Sequence, residues 1–209
     1  MLSTVESRTA HLFEDFYGPA DAVAVADGGT RNSPTSLVPS AALFTTVRRF
    51  QCSLGAMLSA DLCIAGLVAE SSDGVVRALA QRLLAAGHVR PSFEGAVISR
   101  EKRSPTGLPF PGRAIAMPHA EPDHVVRPAI AVASLATPVF FRQMGAPGTR
   151  LEVSLVVMPA LTDKEQATGE LSRLVGLLQD EALRSALAQA ATSQAIYEAL
   201  VAVSGHGSG

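Results

Sequence analysis

The chain has 209 residues, 17% of them charged, and a formal net charge of −2 at pH 7. That is room for one domain of ordinary size plus an extension, and nothing in the balance favours bulk attraction to nucleic acid or to an anionic membrane. Two cysteines, Cys52 and Cys63, are too few for a disulfide framework and lack metal-ligand spacing, so reduced thiols in a cytoplasmic setting are the simpler reading. With two tyrosines and no tryptophan, stacking platforms for bases or sugars are scarce.

Residues 1 to about 56 hold no sustained helical or strand period. Ala22–Ala26 has the pattern of a short strand, but Gly28, Gly29, Asn32, Pro34 and Pro39 follow at once. Periodic order starts just after Met57. Residues 1–56 are therefore expected to be a poorly ordered N-terminal extension, or upstream sequence translated from a misassigned start, with the domain at 57–203 and a flexible tail at 204–209. The apolar region 37–69 is broken by Arg48, Arg49 and Asp61, short of the roughly 20 apolar residues of a membrane helix. The N-terminus lacks a basic cluster followed by an apolar block, so neither a signal peptide nor membrane insertion is expected.

Leu62–Val68 reads as a buried strand. Ser71, Ser72 and Asp73 then offer N-cap oxygens to a helix whose Val75, Val76, Leu79, Leu83 and Leu84 share a face, and Gly87 ends it. Pro91 and Ser92 open a second helix, through Phe93, Val97 and Ile98 to about Glu101. After a proline-rich loop come strand signals at Ala114–Met117, Ala129–Ala133 and Pro138–Phe141, a turn-rich stretch at 144–149, and the strongest strand, Leu151–Met158. Thr162 to Glu165 spells a capping box before the stripe Leu171, Leu174, Val175, Leu178. Asp180 caps a short helix bearing Leu183 and Leu187; Ser193 caps the last, with Ile196 and Leu200. Strands interleaved with helices predict a three-layer α/β domain.

The chemistry concentrates in residues 100–124, REKRSPTGLPFPGRAIAMPHAEPDH. Pro105, Pro109, Pro111, Pro118 and Pro122 stiffen this stretch, and Pro128 lies just beyond. Met117-Pro118 reads as a strand end, which makes His119 the first side chain off that strand. His119 has four readings: a hydrogen-bonded core histidine, a metal ligand, a general base, or a phosphoryl acceptor. His119, Glu121, Asp123 and His124 suggest a metal, but Pro118 and Pro122 deny them a shared helix face, and no further His/Cys cluster exists in the sequence. A nucleophile elbow, a dinucleotide fingerprint and a Walker pattern are all missing from the sequence, and no cofactor is expected. With Arg100, Ser104 and Thr106 nearby in sequence, His119 suits phosphoryl transfer: an imidazole attacks phosphorus and a guanidinium steadies the equatorial oxygens. By spacing alone, Arg100 reads first as a solvated helix end, since surface arginines are common.

The run ISREKRSPTGLP…AIAMPHA resembles the active-site signature of the enzyme IIA components of the bacterial phosphoenolpyruvate-dependent sugar phosphotransferase system, mannitol/fructose class. The continuation EPDHVVRPAIAVASLATPVFFRQMG is closer to the galactitol branch. The resemblance runs from about residue 60 to 203. It implies a mixed, mainly five-stranded sheet flanked by helices on both faces. It also implies a cytoplasmic phosphocarrier in which His119 accepts phosphate from HPr and passes it to a cysteine of enzyme IIB, with the membrane component IIC as an indirect partner. Arg100 becomes the phosphate-side cation and His124 keeps a supporting or structural role, while Ser104 and Thr106 stay supporting candidates on the strength of their hydroxyls. Many relatives carry a second histidine after the last core strand; here Asp163–Thr168 has none, and Gln166 stands nearby as a donor without charge. Met117 stands where relatives usually have Val, Ile or Leu, a mild apolar exchange. The alternative is a regulatory module that uses the same histidine to control a protein partner. The sugar is not legible, because specificity in such systems belongs to the membrane partner.

Overall fold

The computed structural model describes residues 54–205, except for the side chains of residues 164–170 and 204–205. The expectations for residues 1–53 and for 206–209 lie outside the described residues. In chain order the elements are β1 (Cys63–Leu67), α1 (Ser72–Ala85), α2 (Phe93–Arg103), β2 (Gly107–Leu108), β3 (Ala114–Ala116), β4 (Ala129–Gln143), β5 (Ala146–Ala160), α3 (Lys164–Leu177), α4 (Glu181–Gln189) and α5 (Ser193–Gly205).

β4 and β5 form a long antiparallel hairpin; β1 lies parallel to β4, and β3 parallel to β5. β2 pairs antiparallel with β3 and meets the far end of β4 through Gly107 and Gln143. The result is the mixed five-stranded sheet. Successive side chains on a strand face opposite sides. Ala129, Ala131, Ala133, Val156, Met158 and Ala160 belong to a core shared with α1 and α2. Their neighbours Ile130, Val132 and Val157 line a second core with Leu174, Leu178 and Leu200 of the C-terminal helical region. Both faces of the hairpin are thus covered, which makes the domain three-layered and explains why Leu155–Met158 is apolar without alternation.

Boundaries follow local chemistry. Ser71 Oγ accepts the Gly74 N–H at 3.2 Å, and Gly87, at φ 72°, closes α1 as its N–H and that of His88 reach back to Leu84 and Leu83. Three expectations shift. The strands expected at 129–133 and 138–141 are one strand with a register slip between Ser134 and Val139, and Pro138, which has no N–H to donate, falls inside the slip. The turn-rich stretch shrinks to Met144-Gly145, with Gly145 at φ 72°: Ala146 already pairs with Gln143, and Arg150 pairs with Arg142 across a register slip. α5 is capped one residue earlier than expected, Thr192 Oγ1 accepting the Ala195 N–H at 3.1 Å. α3 begins at Lys164, and the Glu165 half of the expected capping box lies outside the described side chains. Residues 54–57 form a helical turn, and Leu54 is 1% exposed, so packed structure reaches at least three residues upstream of Met57.

Candidate functional site

β3 is held on both sides: Ile115 and Ala116 pair with Leu155 and Val156 on one edge and with Leu108 and Gly107 on the other. Ile115, Ala116 and Met117 are buried. Pro118 then stops the ladder, and His119 emerges half-buried where the strand ends. Its Nδ1 lies 2.8 Å from the Met117 carbonyl oxygen. A carbonyl can only accept, so Nδ1 carries the proton and, in the neutral ring, Nε2 holds the lone pair. Burial lowers the ring's pKa from 6.5 to about 4, and the Arg100 charge pushes the same way; the Met117 bond and Glu121 oppose them. At neutral pH the imidazole is uncharged.

Arg100, in the last turn of α2, has a side chain only 15% exposed, with Nε 3.7 Å from Glu121 Oε1. Its field is felt at His119. The structure therefore brings Arg100, His119 and Glu121 into one charged neighbourhood. The other sequence candidates are placed differently. Thr106 is 2% exposed, and its hydroxyl donates to Glu101 Oε2 at 2.7 Å. Ser104 closes α2 through its backbone N–H, 2.7 Å from Arg100 O. His124 Nδ1 lies 2.9 Å from Ser92 Oγ, on a cleft of about 350 Å³ lined also by Ser99, Arg100, Arg103 and Glu121. His119 is not among that cleft's walls. Gln166 sits in the first turn of α3, its side chain outside the described residues. Among the described residues no group of three or more His, Cys, Asp or Glu side chains is arranged to hold a metal ion.

Two residues were overlooked in the sequence. Glu101 is 8% exposed and accepts both the N–H (3.1 Å) and the O–H (2.7 Å) of Thr106. Its pKa rises from 4.5 to about 7 by burial, against the Thr106 bonds and Arg100 and with help from Asp73. The signal was available: Phe93, Val97 and Glu101 recur at i, i+4, i+8, so the glutamate falls on the buried stripe of α2. Arg184 of α4 is 2% exposed; Nη1 donates to Leu178 O and Gln179 O, both at 2.7 Å, and Nη2 to Pro111 O at 2.9 Å. Its guanidinium also lies 4.9 Å from the centre of the Phe110 ring, which ties the loop before β3 to the C-terminal helices.

The family model for the phosphoenolpyruvate-dependent sugar phosphotransferase system, EIIA 2, matches residues 56–202. The chain belongs to that family. Members are phosphotransferase components with phosphohistidine intermediates. The chain is 32% identical over 135 residues to the 2-O-alpha-mannosyl-D-glycerate-specific EIIABC component of Escherichia coli K12, a match that covers 62% of this chain and 20% of that protein. It spans about a fifth of that relative's length. It is also 32% identical over 105 residues to the galactitol-specific EIIA component of the same strain, covering 50% of this chain and 69% of that one. The fold matches enzyme IIAMTL in its complex with phosphorylated enzyme IIBMTL from Escherichia coli, with a TM-score of 0.58, 24% identity, and coverage of 69% of this chain and 97% of that one. Among the described residues of this EIIA-family chain, no helix is long and apolar enough to cross a membrane.

Proposed function

We propose that the chain is a phosphohistidine relay in which His119 Nε2 accepts a phosphoryl group from HPr and passes it to a cysteine of an enzyme IIB. The observation that carries this reading is the 2.8 Å bond from His119 Nδ1 to the Met117 carbonyl. That bond places the lone pair on Nε2, and the depressed pKa keeps the lone pair available at neutral pH. In the first step the Nε2–P bond forms as the donor's bond to phosphorus breaks, the electron pair returning to the donor. Nδ1–H still donates to Met117 O in the phosphorylated ring, so no proton need move. Arg100 supplies positive charge beside the incoming phosphoryl oxygens, and its Nε lies 3.7 Å from Glu121 Oε1. In the second step a thiolate attacks the same phosphorus and the pair returns to Nε2. His124, bonded to Ser92, is a structural neighbour in this scheme.

The test is incubation with phosphoenolpyruvate, enzyme I and HPr, then addition of a IIB domain. One acid-labile, base-stable phosphate should appear, be absent from His119→Gln, and move to the IIB cysteine. Full labelling of His119→Gln would refute the assignment, and labelling without onward transfer would favour a regulatory module.

A further inference from the structure

Four hydrogen bonds connect a residue on α2 to the ring of His119. The Glu101 carboxylate takes the N–H and O–H of Thr106 (3.1 and 2.7 Å). The Thr106 carbonyl takes the Met117 N–H at 3.3 Å. The Met117 carbonyl takes the His119 Nδ1 proton at 2.8 Å. The path is short, crosses from helix to strand end, and terminates on the atom that decides the tautomer. From this link we infer that Glu101 is a positioning residue for His119, holding the Thr106–Met117 backbone so that Met117 O keeps the proton on Nδ1 and directs Nε2 to the phosphorus. The inference rests on the acceptor role proposed for His119.

A carboxylate serves this purpose better than an apolar side chain, because its two oxygens engage both Thr106 donors at once and so set the peptide's rotation as well as its position. Thr106 is gripped from its other side too. A Cβ on the next residue, Gly107, would lie 2.5 Å from Arg142 O, and Gly107 O accepts the Met144 N–H at 2.8 Å. The loop cannot drift toward β4, and Glu101 stops it drifting away. Among the described residues no cation reaches salt-bridge distance of Glu101; Arg100 and, from α1, Asp73 act on it through their fields. Burial without an ion pair disfavours the ionised form, yet the carboxyl stays bonded to the two Thr106 groups that lead to the Met117 carbonyl.

The His119 ring nitrogens, observed by ¹⁵N NMR at neutral pH without any phosphate donor, report the tautomer directly. The wild type should hold the Nδ1–H form. Glu101→Leu should relax to a mixture of tautomers and accept phosphate from HPr about tenfold more slowly, roughly 1.4 kcal/mol of barrier. Glu101→Gln should restore both readouts, since its carbonyl accepts from the Thr106 N–H and its amide donates to Oγ1. A folded Glu101→Leu with the wild-type tautomer and rate would overturn the inference, as would a Glu101→Gln that behaves like the leucine variant. Should Glu101→Leu fail to fold, Glu101→Asp decides: one methylene shorter, it cannot span both Thr106 groups, and an unchanged tautomer there would count against the link. A wild-type chain that is never labelled on His119 would refute the acceptor role alone, because the tautomer is measured independently.

Discussion

The two perturbed groups of the site titrate in opposite directions, and this predicts a pH–stability signature. Glu101 has its folded pKa raised from 4.5 to about 7. Its contribution is fully present below pH 4.5, where both states are protonated, and is lost as pH rises to 7, because folding must then hold a proton that the unfolded chain releases. His119 has its folded pKa lowered from 6.5 to about 4. Its contribution is present above pH 6.5 and is lost as pH falls toward 4, where the unfolded ring binds a proton that the folded ring resists. Each group acting alone gives a slope of up to about 1.4 kcal/mol per pH unit, with a ceiling near 3 kcal/mol across its window. His119 keeps some solvent contact, so its share falls below that ceiling, at about 1–2 kcal/mol. Between pH 4.5 and 6.5 the two slopes offset each other in the wild type. His119→Gln should expose the glutamate, so that stability falls as pH rises from 4.5 to 7. Glu101→Gln should expose the histidine, so that stability rises from pH 4 to 6.5. Urea unfolding at a series of pH values measures both, and differences from wild type cancel the background of surface carboxylates. If all three profiles run parallel between pH 4.5 and 6.5, neither group has the environment described, and the account of a neutral, half-buried His119 imidazole fails.

Other perturbations follow from the same contacts. Arg100→Ala should slow phosphoryl transfer by about 10- to 100-fold, equivalent to ~1.5–3 kcal/mol, and raise the His119 pKa toward its ordinary value; unchanged single-turnover rates and an unchanged NMR titration would return Arg100 to a helix-end role. Arg100→Lys should recover only part of the rate, since a point charge lacks the guanidinium fork. Arg184→Leu removes the donors to Leu178 O, Gln179 O and Pro111 O and should cost about 3 kcal/mol or more in urea unfolding; a loss under ~1 kcal/mol would show that the carbonyls find other partners. A chain starting at Met57 discards the buried Leu54 and should be less stable than one starting at Cys52 by ~2 kcal/mol, with equal melting behaviour arguing that Leu54 contributes nothing.

Local rules written in the sequence carried much of this protein. The helix stripes of α1, α3 and α4, the caps at Ser71 and Asp180, the Gly87 stop and the proline that ejects His119 from β3 depend on neighbours within a few residues, and periodicity exposes them. The layer order was equally legible, because apolar runs such as Leu155–Met158 are stable only when both faces are covered. Tertiary structure decided what depends on distant partners. The union of 129–133 with 138–141 needed β5 to bridge the slip around Pro138, and β2 exists only because β3 and β4 flank two residues. The site divides the same way. His119 announced itself by its position in the chain, and the REK triplet by resemblance. Yet three features required the Thr106 loop and the Met117 turn to fold against α2: the Thr106 hydroxyl bonds to Glu101, the Nδ1 proton goes to Met117 O, and Arg100 leans on Glu121. Hydrogen-bond direction and burial are properties of an environment, so the sequence could single out His119 while only the packed structure could set its tautomer and charge.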